Sequence, residues 1–160
     1  MKLVSQALLD ELAARAAASP RGRAHHNLHA SADDPVQRFL VAAMRNSYFR
    51  PHRHTTRAEL AVLLRGRVSV VLFDERGVVT GRGAIGDGSG NFAYETAPGT
   101  WHTLVAEADG TTFLEIKQGP YDPARASEFA AWSPPEGDAR AAQFLEWARG
   151  ARPGERAPAD

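Results

Sequence analysis

Three histidines and a glutamate are the residues of this chain whose types and spacing suit them to chemistry together. In the stretch 51–66, PHRHTTRAELAVLLRG, His52 and His54 stand two apart and Glu59 follows at the head of an apolar run. On an extended strand, residues two apart leave from one face, so both imidazoles point the same way. Further on, Ala97-Pro98-Gly99-Thr100-Trp101-His102-Thr103-Leu104 sets a third histidine just after a Pro-Gly turn, leading another apolar strand. Neutral imidazoles and a carboxylate converging on one point make a site for one divalent transition metal. His52, His54, Glu59 and His102 are the expected ligands, with one or two positions left for water or substrate. The set accepts zinc, iron, manganese, nickel or copper alike. A His-x-His, Glu, Gly pattern of this spacing arises by chance in about one sequence per thousand of this length, which weighs against coincidence.

The elements that must position these residues read as mainly β. The apolar residues Leu3, Ala7, Leu8, Leu12 and Ala16 recur at helical spacing, so 1–18 is an amphipathic helix stopped by Ser19-Pro20. The segment 21–29 carries three of the six histidines but has no periodicity to say where it points, leaving solvent and pocket roles both open. Strands follow at 36–44, 60–64, 68–73, 78–82, around Phe92 and Tyr94, at 101–106 and at 111–117, separated by turns such as Arg65-Gly66-Arg67 and Asp74-Glu75-Arg76-Gly77. Gly66 reads as a turn residue. The segment 83–90, with four glycines, lacks the Lys-Ser/Thr ending of a phosphate loop and reads as a flexible connection. Short strands at this spacing indicate a barrel or sandwich. After 118 the pattern breaks into an irregular wrap, and Asp138 is the expected cap of a second helix running through Arg149. One domain over 1–150 is expected, its barrel at about 36–118, the wrap and helix at 119–150, and a disordered tail at 151–160.

Composition narrows the function. At 160 residues the chain can bury a real core. Its 19 basic and 19 acidic side chains cancel, giving no electrostatic reason to expect nucleic acid or an anionic membrane as partner. Without cysteine, disulfides, thiol nucleophiles and iron–sulfur clusters are excluded, so a metal must be held by histidine and carboxylate. Asp10, Glu11 and Arg15 interrupt what would be the apolar core of a signal peptide, and no run approaches transmembrane length. A cytoplasmic protein is expected. Apolar aromatics outside the strands and the sheet edges of an open barrel point to a homodimer.

The two metal stretches resemble the paired motifs of the cupin superfamily, with departures confined to turn positions: Asn46 and Asn91 in place of leading glycines, Ala97 in place of proline, and Ala106 in place of a closing asparagine. Over nearly the whole chain the resemblance narrows to the WbuC-like cupin metalloproteins. It is carried by Ser19-Pro20-Arg21, His26-Asn27-Leu28-His29, Asp34-Pro35-Val36-Gln37-Arg38, Pro51-His52-Arg53-His54, 98–104, Glu115 to Pro123, Glu128-Phe129-x-x-Trp132 and Glu136-Gly137-Asp138. It implies a double-stranded β-helix (jelly-roll) barrel between an N-terminal and a C-terminal helix, a bound metal, and an association with cell-surface polysaccharide (O-antigen) biosynthesis.

The resemblance also implies a pocket mouth lined by His26, Asn27 and His29 on one side and by Lys117 and Tyr121 on the other. These residues are the substrate-binding candidates, and His26, His29, Lys117 and Tyr121 are also candidate acid–base groups. Against that stands strict strand alternation, which sends Leu114 and Ile116 inward and leaves Lys117 in solvent. Three functions follow. The first is a metal Lewis acid acting on a sugar or sugar-nucleotide derivative in isomerase- or epimerase-like chemistry. The others are a metal-dependent dioxygenase and a noncatalytic sugar-binding module.

Overall fold

The computed structural model describes residues 1–158. Helix α1 (Gln6–Ala18) starts on Ser5, whose hydroxyl accepts from the Leu8 amide at 3.3 Å. It presents Leu9, Leu12 and Ala16 to the sheet beneath, where they bury against Leu40 and Ala42. Ten strands follow: β1 (Arg23–Asn27), β2 (Val36–Ala43), β3 (His52–Arg53), β4 (Glu59–Arg65), β5 (Arg67–Phe73), β6 (Val79–Gly86), β7 (Ala93–Thr96), β8 (Trp101–Ala106), β9 (Thr111–Gln118) and β10 (Glu128–Phe129). They form two five-stranded antiparallel sheets, ordered β1-β2-β9-β4-β7 and β10-β3-β8-β5-β6, which face each other as a jelly roll. Helix α2 (Ala141–Gly150) closes the chain's regular structure.

Each sheet is covered outside by a helix, and this decides how its strands read. Between the sheets Val41, Ala61, Val68, Val70, Ile85, Leu104 and Phe113 pack as one cluster. Outside the second sheet, Val105 lies under Phe144 and Leu145 of α2, and Trp101 lies beside Trp132 at 6.2 Å between ring centroids. All six residues of β8 are therefore buried, and the strand shows no alternation of buried and exposed positions although it carries the polar His102 and Thr103. Each fully buried Leu, Val or Phe contributes roughly 1.5–3 kcal/mol. Gly66, at φ +80°, turns the chain from β4 into β5, where a Cβ would stand 2.7 Å from the Thr111 hydroxyl.

The histidine-rich segment, whose direction the sequence left open, is an edge strand, β1, paired along its length with β2. Three expectations are corrected. The first glycines of 83–90 continue β6 against β5, because Gly83 and Gly86 take the ladder positions opposite Val70 and Arg67. Asp138 does not cap α2: its carboxylate accepts from the Arg140 amide at 2.8 Å in a turn before the helix, whose N-cap is Arg140. The tail is not loose over 151–158. The Val79 amide donates to Glu155 O at 2.8 Å and the Ala157 amide to Gly77 O at 2.8 Å, while Ala151 and Ala157 are buried. The last two tail positions, Ala159 and Asp160, lie outside the described residues. No helix among the described residues is long and apolar enough to cross a membrane.

Candidate metal centre

The structure brings His52, His54, Glu59 and His102 together, with one ligand atom from each lying within 4.8 Å of all the others. His52 on β3 pairs directly across the ladder with His102 on β8, and their rings stand 4.6 Å apart between centroids. His54 follows β3, and Glu59 opens β4 in the opposite sheet. The cluster therefore bridges the two sheets at one end of the barrel. His54, Glu59 and His102 are buried, and half-buried His52 faces the pocket.

The hydrogen bonds orient each ring the same way. Nδ1 of His52 bonds Arg50 O at 2.9 Å, Nδ1 of His54 bonds Ala126 O at 2.6 Å, and Nδ1 of His102 bonds Thr100 O at 2.9 Å. A carbonyl only accepts, so each Nδ1 carries the proton and, in a neutral ring, each Nε2 presents a lone pair. Those lone pairs meet a carboxylate: His54 Nε2 lies 2.8 Å and His102 Nε2 3.5 Å from Glu59 oxygens. Acceptors this close need a cation or extra protons between them, and buried His102 Nε2 has no hydrogen-bond partner of its own. Three imidazole nitrogens and one carboxylate, each ring tied to a backbone carbonyl, fit a divalent transition metal.

The electrostatics agree. Burial opposes ionisation of Glu59, but Lys117, His102 and His54 outweigh it and hold the carboxyl well below its ordinary range. Burial and the adjacent His102 push His52 down to about 3, which keeps its imidazole neutral as a ligand must be. Lys117 Nζ sits 2.7 Å from Glu59 and 3.0 Å from Glu115, and these carboxylates overcome the burial that would otherwise discharge it. Tyr94 donates its hydroxyl proton to the other Glu59 oxygen at 2.8 Å. Burial first, then Glu59 and Glu115, raise the phenol well above its usual value, so it stays a donor.

His52 and His54 of the cluster line a cavity of about 570 Å³ that reaches the surface. Asn27, His29, Lys117 and Tyr121 all line it, as does His25. His26 does not: β1 alternates, so His25 and Asn27 share the pocket face while His26 faces away, and its expected place at the mouth passes to His25. Lys117 faces inward, against the reading that left it in solvent, because Glu59 is its cross-strand partner. Leu114 instead turns outward under α1. Glu115, Tyr94 and Arg57 were not singled out from sequence. For Glu115 the available signal was its spacing of two from Lys117, which puts both on one face.

The fold is a cupin-like jelly-roll barrel, and its two sheets bring three histidines and a glutamate together at one end. The chain itself belongs to DUF6016, a domain of unknown function, whose family model matches residues 4–85, just over half its length. No curated protein matches the sequence. Among solved structures, a Shewanella oneidensis protein is similar at 11% identity and a TM-score of 0.55, over 69% of this chain and 75% of its own. A variant of Bacillus subtilis oxalate decarboxylase is similar at 18% identity and a TM-score of 0.50, over 66% of this chain. This chain spans only 30% of that decarboxylase's length. These likenesses are of fold.

Proposed function

We propose that this chain is a metal-dependent cupin that takes up a small sugar or sugar-nucleotide derivative at a metal held by His52, His54, Glu59 and His102. The reaction we assign is isomerisation or epimerisation within cell-surface polysaccharide (O-antigen) synthesis. One observation carries the reading: three Nε2 atoms with protonated Nδ1 partners converge on a buried carboxylate beside an open cavity of about 570 Å³. A bound divalent metal supplies a Lewis acid for a substrate oxygen. His52 and His54 line the cavity, so the ligand approaches on their side, while Glu59 and His102 lie behind. Lys117, charged and inside the cavity wall, is placed to donate a proton, and Glu115 beside it to accept one. The resemblance to WbuC-like cupins supports the sugar class and the pathway.

The test has two stages. Elemental analysis of protein purified without added metal should find one transition metal per chain. Metal-loaded protein should then be stabilised by nucleotide sugars in a thermal-shift screen, and should change the proton NMR spectrum of the one that binds. Turnover that disappears without dioxygen would replace the Lewis-acid reading with a dioxygenase. Binding with no conversion would leave a sugar-binding module.

A further inference from the structure

The cavity above the metal centre carries more positive charge than its own carboxylates offset, and the surplus is localised. Four arginines and Lys117 line it against two glutamates, Glu115 and Glu136. Arg21 and Arg23 both pair with Glu136, Arg21 through two bonds of 2.7 and 3.0 Å. Lys117 is taken by Glu59 and Glu115. Two guanidiniums remain with neutral partners only. Arg50 donates to Ala130 O at 2.9 Å and to Ser133, and Arg57 donates to Gln118 O at 3.0 Å and Arg125 O at 3.2 Å.

Arg57 is the more telling of the two. It is only 9% exposed, lies on the loop between His54 and Glu59, and has no carboxylate partner among the described residues. A buried charge without a counter-charge is costly, and proteins keep one where something binds to it. Two of its five N–H donors are used on the carbonyls, which hold the fork rigid and leave the rest for a planar or tetrahedral oxyanion.

We propose that the ligand taken up at the metal carries a phosphate or carboxylate group, and that Arg57, with Arg50 on the same pocket lining, is the subsite that receives it. This rests on the metal-dependent reading above and narrows its substrate class to acidic or phosphorylated compounds, excluding neutral sugars.

Calorimetric titration of the metal-loaded full chain at low ionic strength tests it, with inorganic phosphate, malonate and galactose as probes. At least one of the two oxyanions should bind at least tenfold more tightly than galactose, and the tighter of the two identifies a phosphoryl or a carboxylate source. Arg57→Gln and Arg50→Gln should each weaken that anion about tenfold while metal content stays at the parent's level, with Arg57→Lys recovering part of the loss because it restores charge without the fork. Galactose binding as tightly as both anions, neither anion binding, or both glutamine variants binding the anion as the parent does would overturn the proposal. A purified chain holding no metal overturns the underlying reading instead, so the two failures are distinguishable.

Discussion

The two ends of the barrel interior are built by the same strands and have opposite chemistry. Along β4 the inward positions run from Glu59 to Ala61, along β8 from His102 to Leu104, and along β9 from Lys117 and Glu115 to Phe113. A step of two residues thus carries each strand from the polar end, at the candidate metal centre, into the apolar cluster between the sheets. Desolvating two carboxylates, an ammonium and three imidazoles stabilises nothing unless each is paired. The apolar end supplies the burial that offsets this, and it holds the strands rigid enough for four ligand atoms to stay within 4.8 Å. Strand alternation selects the face, and position along the strand selects the chemistry.

The division can be broken from either end. The largest effect is expected from Phe113→Ala, which should cost about 3–5 kcal/mol in denaturant unfolding yet leave one metal per chain at saturating metal. A loss below about 1 kcal/mol would show that the apolar end does not carry the stability, since ordinary surface substitutions stay within about 0.5 kcal/mol. His102→Ala acts at the other end. Metal affinity measured by competition with a chelator should fall by at least about 100-fold, or about 2.8 kcal/mol, while the fold is retained by circular dichroism. Parent-like affinity would remove His102 from the ligand set.

Lys117→Met sharpens the comparison within the polar end. Lys117 is the ammonium shared by Glu59 and Glu115, so its loss should cost metal-free protein about 3 kcal/mol by leaving buried carboxylates unpaired. With metal bound to Glu59 the cost should be smaller. Equal losses with and without metal would mean that Glu59 and the metal do not share charge.

The smallest effect is expected at His25, on the pocket wall. Its ring is open to the cavity, yet crowding by protein, followed by Arg23, Arg21 and Lys117, lowers its pKa from 6.5 to about 4. The unfolded chain takes up this proton near 6.5 and the folded chain only near 4, so folding loses stability as pH falls through that window and no further below it. His25→Gln should remove this part of the loss, read as a flatter dependence of the urea midpoint between pH 6.5 and 4. An unchanged slope would mean that His25 titrates alike in both states.

From the sequence alone, His52, His54, Glu59 and His102 could be read as a set, because ligand chemistry depends on residue type and on short spacings that survive in one dimension. The mainly β fold and an N-terminal helix were legible for the same reason, since alternation, helical periodicity and turn glycines are local signals, although the helix expected over 1–18 begins only at Gln6 after its Ser5 cap. Tertiary structure alone decided the rest. Lys117 reads as solvent-facing beside Leu114 and Ile116 until β9 is laid against β4, where Lys117 falls opposite Glu59 and α1 covers the other face. His25 replaces His26 at the pocket only once β1 pairs with β2. The strap at 151–158 looks disordered in composition and is held by backbone hydrogen bonds to Gly77 and Val79, partners distant in sequence. In each case register and layer covering decide which side of a polar or mixed strand is buried, and both are properties of contacts between segments that no single segment encodes.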